Sequence, residues 1–196
     1  MKTYQVKLIF TEPLLGTVPL NRELYAEYIA TKAPVAENGE QETETVEELT
    51  EKGTTGFHRV GGKPVIYDYA IKGFFKDACG MLRRVDGTES KKLKNFKKVI
   101  DGLVFVKPRQ IPVGIVGEIG ILERPLRAQT AQGERVALSR SESIPAGSMM
   151  EFTVKVLGVL SEKVLREWLD YGSERGLGQW RNGGYGTFVY EMSESA

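Results

Sequence analysis

Near each end of the chain, apolar and polar residues alternate with a period of two. Over Met1–Phe10, Tyr4, Val6, Leu8 and Phe10 fall on one face and Gln5 and Lys7 on the other, which predicts a half-buried strand. "SMMEFTVKVLG" repeats the pattern, with Met150, Phe152, Val154 and Val156 set against Glu151, Thr153 and Lys155. Between them the period becomes helical. In "DYAIKGFFKDACGMLRR", Ile71, Phe74, Phe75, Ala78 and Leu82 recur at helical spacing despite Gly73 and Gly80. "SKKLKNFKKVI" predicts a second helical segment N-capped by Ser90, with Leu93, Phe96 and Ile100 on one face and Lys91, Lys94 and Lys98 on another. "SEKVLREWLDYG" predicts a further helix N-capped by Ser161 and burying Val164, Leu165, Trp168 and Leu169. "NRELYAEYIA" is read as a short helix, and "LVFV", "GIVGEIGILE" and "YGTFVYEM" as strands. The order fits an α+β fold, a modified ferredoxin-like or RRM-like βαββαβ antiparallel sheet with helices on one face. The 196 residues suit one domain spanning 1–196.

Two stretches fall outside this pattern. Residues 33–63 carry no core periodicity and are expected to form a mobile acidic insertion. "RPLRAQTAQGERVALSRSES" is polar and arginine-rich, and predicts a protruding basic hairpin over 123–144 turning at Gln132-Gly133. Net charge is only +1, but its distribution is polarised. Seven acids and no base lie between Ala33 and Glu51, whereas nine bases and three acids lie between Lys72 and Lys98. Such runs are read either as solvated faces or as a phosphate track with an acidic docking surface. Apolar content of 41% and charge of 27% belong to a soluble globular chain with no membrane span. The single cysteine, Cys79, excludes an internal disulfide and reads as core, so a cytoplasmic location is expected.

The stretch "ERGLGQWRNGGYGTFVYE" gathers Gly176, Gly178, Gly183, Gly184 and Gly186 around Trp180, Arg181 and Tyr185. No lysine lies in it, so it is not a P-loop. It follows a helix and precedes a strand, the reverse of the dinucleotide fingerprint. What remains is a loop in which backbone comes close to a phosphate chain or a neighbouring element. Trp180 and Tyr185 are suited to stacking on bases and Arg181 to pairing with phosphate, and either aromatic is equally a core or rim residue.

"GLGQWRNGGYGTF" resembles the C-terminal glycine-rich loop of the RAMP superfamily, the repeat-associated RNA-binding proteins of CRISPR systems. "TEPLLG", "KPVIYDYAIKGFFKDACGML", in which Lys72-Gly73 would open a helix, and "SESIPAGSMMEFTVKVLG" are similar to further segments of that family, in the same order. About half the chain is covered, and the likeness is greatest to backbone subunits of effector complexes. The resemblance implies an RRM-like fold, no cofactor, and a non-catalytic subunit holding single-stranded or guide RNA; no metal site is assigned, since Asp68, Asp77 and Asp86, nine apart, suggest no metal triad. Its partners would be copies of itself or other effector subunits. The residues assigned to RNA are Lys72, Lys76, Arg83 and Arg84 as a basic groove, Arg127, Arg135 and Arg140 on the hairpin, and Gly178, Trp180, Arg181 and Gly184 in the loop.

Two alternatives accompany this reading. One is an RNA-processing endoribonuclease, for which His58 (the only histidine) and Asp68 are the catalytic candidates. The other is a virus or mobile-element protein that mimics or joins such a complex through its acidic stretch.

Overall fold

A computed structural model describes residues 1–20, 54–130, 133–158 and 160–195; for 126–130 and 133–137 it gives backbone pairing alone. In chain order the strands and helices before the long hairpin are β1 (Lys2–Phe10), β2 (Leu14–Leu15), β3 (Val18–Pro19), β4 (Thr54–Gly56), β5 (His58–Val60), β6 (Lys63–Tyr67), α1 (Asp68–Leu82), α2 (Glu89–Lys92), α3 (Phe96–Leu103), β7 (Val104–Lys107) and β8 (Gln110–Gly114). Then come β9 (Gly120–Thr130), β10 (Gly133–Ile144), β11 (Met149–Val156), α4 (Glu162–Arg175), a single 3-10 turn at Arg181–Gly183, and β12 (Phe188–Ser195).

β1 lies between β11 and β12 and is antiparallel to both, with Tyr4 opposite Val154 on one side and Glu194 on the other. The second edge of β11 is shared, β7 taking Thr153 to Val156 and β8 taking Met149 and Met150. β6 and β5 extend the sheet beyond β8. The order last–first–third–second, all antiparallel, is the ferredoxin-like βαββαβ arrangement, with α1 and α4 as its two crossovers.

The period-two faces do what their pattern predicts. Tyr4, Val6, Leu8 and Phe10 of β1, and Met150, Phe152, Val154 and Val156 of β11, are buried. They meet Ile71, Phe74, Phe75, Ala78 and Cys79 of α1 and Val164, Leu165, Trp168 and Leu169 of α4. Trp168 is fully buried against Phe75, with ring centres 5.3 Å apart, and its Nε1 donates to Ser90 Oγ at 3.0 Å.

That contact corrects the expected cap. Thr88, not Ser90, caps α2, its Oγ1 accepting from the Lys91 amide at 3.2 Å. Ser90 is drawn inward, and both its amide and its hydroxyl donate to the Glu167 carboxylate at 3.0 Å. The single helix expected from Ser90 onward is in fact two pieces, broken between α2 and α3 where Asn95 sits at φ 50°. The break lets Leu93 and Ile100 both reach the core. "GIVGEIGILE" is likewise not continuous, because pairing stops at Gly114 and resumes at Gly120 around Gly117 at φ 86°. α1 begins at Asp68, so Lys72-Gly73 lies in its second turn and does not open it.

A second sheet was not legible in the sequence. β10 pairs with β9 along its length, while its inner end is flanked by β2 (Ser143 opposite Leu15) and by parallel β4 (Arg140 opposite Thr54). Residues 54–60, the later part of the stretch expected to be a mobile insertion, therefore form strands. They are held by the Glu142 carboxylate, which accepts from the Phe57 amide at 3.0 Å and pairs with Arg59 at 2.6 Å. The expected short helix at 21–30 and the acidic run up to Glu51 lie outside the described residues. In the hairpin Gly133 pairs with Thr130 and so belongs to β10, not to the turn expected at Gln132-Gly133. Among the described residues no helix is long and apolar enough to cross a membrane.

Candidate nucleic-acid interface

The glycine-rich segment leaves α4 at Gly176, which has φ 76°. It then folds back on itself: the Leu177 amide donates to Gly186 O at 2.9 Å, and the Gly186 amide donates to Pro13 O at 2.9 Å. Most of its glycines are needed for that closure. A Cβ on Gly176 would lie 2.3 Å from Tyr185 O, on Gly186 2.0 Å from Leu177 O, and on Gly178 2.5 Å from Leu15 O. Close approach is therefore real, but the element approached is the chain's own backbone. Gly178 is a packing glycine against β2. Gly184 differs: it is exposed, with open space where a side chain would stand.

This closed base presents the side chains. Gln179 is anchored beneath, its Oε1 accepting from Thr55 Oγ1 at 3.2 Å and Ser141 Oγ at 3.0 Å. Trp180 adopts the left-handed conformation (φ 53°), and its half-buried indole lies 6.2 Å from the Tyr185 ring. The Arg124 guanidinium from β9 stacks over that indole, 4.4 Å from its centre. Arg175 at the end of α4 donates to Asn182 Oδ1. Arg181 pairs with Asp77 of α1 at 2.7 Å. Arg124, Arg175, Arg181 and Trp180 thus line one wide, open hollow. Arg124 and Arg175 were absent from the sequence-derived set. Their only signal was adjacency: Arg175 immediately precedes the first loop glycine, and Arg124 opens the arginine-rich stretch.

Among the described side chains, the other expected cations do not line this hollow. Lys72 and Lys76 lie on the opposite flank of α1 from Asp77. Lys72 Nζ donates to Asp101 O at 3.2 Å and sits over Phe105, and Lys76 pairs with Asp101 at 2.5 Å. Arg83 stacks on Phe96 at 5.0 Å, and Arg84 is exposed just beyond α1. Lys72, Lys76 and Arg83 thus form a separate basic surface facing α3. Arg140 is at the hairpin root, where it pairs with Glu123 across the strands at 2.8 Å. Arg127 and Arg135 occupy backbone positions opposite Val136 and Ala128.

The catalytic candidates are both engaged. Asp68 Oδ1 accepts from the Tyr69 amide at 2.9 Å in the first turn of α1. His58 meets Tyr67 edge-on at 4.7 Å and shares a 3.1 Å hydrogen bond between its Nε2 and the Tyr69 hydroxyl, while Tyr67 and Tyr69 stack at 5.3 Å. Partial burial pushes the His58 pKa below its ordinary 6.5. The unfolded chain then takes up this proton first, so His58 contributes a loss of stability as pH falls below about 6.5. Because it is the sole histidine, its imidazole proton resonances in an NMR titration are expected to shift with a midpoint below 6.5. A midpoint at or above that value would contradict the packing described. Among the described residues no cluster of three or more His, Cys, Asp or Glu is arranged to hold a metal.

No protein-family model matches this sequence, and no curated protein is similar to it. The fold does have solved counterparts. A chain of a type III-B Cmr-beta complex bound to cognate target RNA, determined by cryo-EM, superposes with a TM-score of 0.58 at 12% identity, over 98% of this chain and 60% of that one. This chain therefore spans about three fifths of that neighbour's length. A chain of a type IV-B CRISPR complex aligns at 12% identity and a TM-score of 0.46, over 99% of this chain and 90% of its own. At this identity, the first likeness establishes a shared fold.

Proposed function

We propose that the chain is a non-catalytic RNA-binding component of a CRISPR-type effector ribonucleoprotein, holding single-stranded guide RNA beside other subunits. The observation that carries this reading is the convergence of three guanidiniums and a half-buried indole on one open hollow. Guanidiniums suit phosphate oxygens and the indole suits a base face, the two surfaces that single-stranded RNA offers. The fold shared with a subunit of a complex bound to target RNA supports the reading. The lysine and arginine surface on the far flank of α1 is a second place for phosphates or for a neighbouring subunit. His58 and Asp68 stay outside this reading, since the hydroxyl and amide they engage are structural partners.

Fluorescence anisotropy with a labelled single-stranded RNA, titrated at several salt concentrations, tests it. Wild-type affinity is expected to fall steeply as salt rises. A double variant, Arg124→Ala with Arg175→Ala, is expected to bind about 10- to 100-fold more weakly and to reduce the log–log salt slope by roughly 1.4, about 0.7 for each lost phosphate contact. If the wild type has no affinity at low salt, or the double variant keeps both affinity and slope, the reading is wrong.

A further inference from the structure

A second concavity adjoins the arginine hollow. It is a trough of about 230 Å³ between α1, β2 and the glycine-rich loop, with Leu14, Leu15, Phe57, Ile66, Phe74 and Leu177 on its walls. Gly178 and Arg181 line both concavities, so the two share a rim at the Arg181–Asp77 pair. Apart from that pair, Thr17 supplies its other polar side chain.

Gly73 also lines the trough, and packing does not account for it. A glycine inside a helix costs stability, and it is usually kept because a side chain would collide or because φ is positive. Gly172 of α4 shows such a need, with a Cβ there 2.4 Å from Phe74. At Gly73 a Cβ would meet nothing within 4 Å, and φ is not positive. The effect of a glycine here is to leave this wall of the trough flat and open.

We infer that the trough is a nucleobase subsite, receiving one unstacked base of an RNA whose phosphates lie in the arginine hollow. This deepens the RNA-binding reading above and rests on it. Three features select a base over an aliphatic protein side chain. The walls are apolar enough to replace stacking with neighbouring bases. Asp77 and Thr17 place a carboxylate and a hydroxyl at the wall, where a base edge has amino and carbonyl groups to satisfy. The rim it shares with the arginine hollow sets guanidiniums, which suit an anion, beside the apolar walls, a pairing that every nucleotide supplies.

The test uses Gly73→Leu, which improves helix propensity and adds an aliphatic side chain at the trough wall while every arginine of the hollow is retained. Anisotropy is measured for oligo(A) and for an abasic oligoribonucleotide of the same phosphate count. Gly73→Leu is expected to weaken oligo(A) binding about tenfold, leave abasic RNA binding unchanged and keep the wild-type melting temperature or raise it. Gly73→Ala, which adds only a methyl group there, is expected to fall between. If Gly73→Leu binds oligo(A) as the wild type does, the trough takes no base, while the arginine reading stands. Equal losses for both RNAs, or a loss of self-association with RNA binding intact, overturn the inference in favour of a distorted loop or a protein contact. Absence of wild-type binding to either RNA overturns both readings together.

Discussion

Gly186→Ala is expected to lower the melting temperature by roughly 10 °C, from a stability loss of about 3–5 kcal/mol in a chain of this length. The new Cβ would stand 2.0 Å from Leu177 O, a distance no packed atom tolerates, in a residue held at φ 71°. The left-handed conformation alone costs about 1–2 kcal/mol for an alanine. To relieve the contact, two backbone hydrogen bonds must open, from the Leu177 amide to Gly186 O and from the Gly186 amide to Pro13 O, each worth about 1 kcal/mol net. Gly184→Ala is the matched comparison. It has a similar φ of 85° but open space around it, so only the conformational cost of about 1–2 kcal/mol applies. Thermal melts of the two variants should therefore differ by several degrees. RNA affinity should survive in Gly184→Ala and drop in Gly186→Ala, because Trp180 and Arg181 depend on the closed base. Equal melting temperatures would mean that the loop is not closed as described.

The second large effect is Trp168→Ala, expected to lower the urea midpoint by an amount equivalent to about 3–5 kcal/mol. The indole is fully buried on Phe75, and its N–H is one of the partners that hold Ser90 inside. Removing it leaves a cavity and strips Ser90 Oγ of a donor in a place without water access. Trp168→Phe keeps most of the packing and should cost less than half as much. Cys79 provides an independent readout. It is the sole cysteine, fully buried, and burial raises its thiol pKa, so the native protein should react slowly with a thiol reagent. Trp168→Ala should accelerate that labelling by more than tenfold, whereas an unchanged rate would show that α1 and α4 pack without the indole.

What the chain displayed openly was whatever repeats with a period. β1, β11, α1 and α4 each have one wet and one dry face, and a run of eight or more residues makes that contrast readable. The short strands were invisible for the converse reason. β4 has three residues, Thr54–Gly56, and is ordered by Glu142 and Ser141, which lie more than eighty positions further along. Composition reported only the polar, glycine-rich surroundings of that stretch. Ser90 misled in the same way. A serine ahead of an apolar run resembles a cap, but Trp168 and Glu167 from another helix claimed it. At the candidate site, the loop's special backbone was evident from five clustered glycines, yet their purpose was not. Composition cannot say whether a glycine makes room for a ligand or for its own neighbour, and here Gly176, Gly178 and Gly186 make room for the neighbour. Charge runs were similarly blind to pairing. Lys76, Arg140 and Arg181 each face a carboxylate, whereas Arg124, at the start of the arginine-rich stretch, and Arg175, outside any basic run, complete the hollow.

The register of β1 and β12 has a practical corollary. Thr3 lies opposite Ser195, and Lys2 pairs with Glu194 at 3.0 Å, so the first and last described residues leave the sheet side by side. At the other end of the same two strands, Phe10 lies opposite Phe188, directly beneath the glycine-rich loop. Nine residues of β1 separate the two ends by roughly 27 Å. A dye carried at Thr3 or Glu194 is thereby held about a strand length from the Phe10–Phe188 end, over which the glycine-rich loop closes.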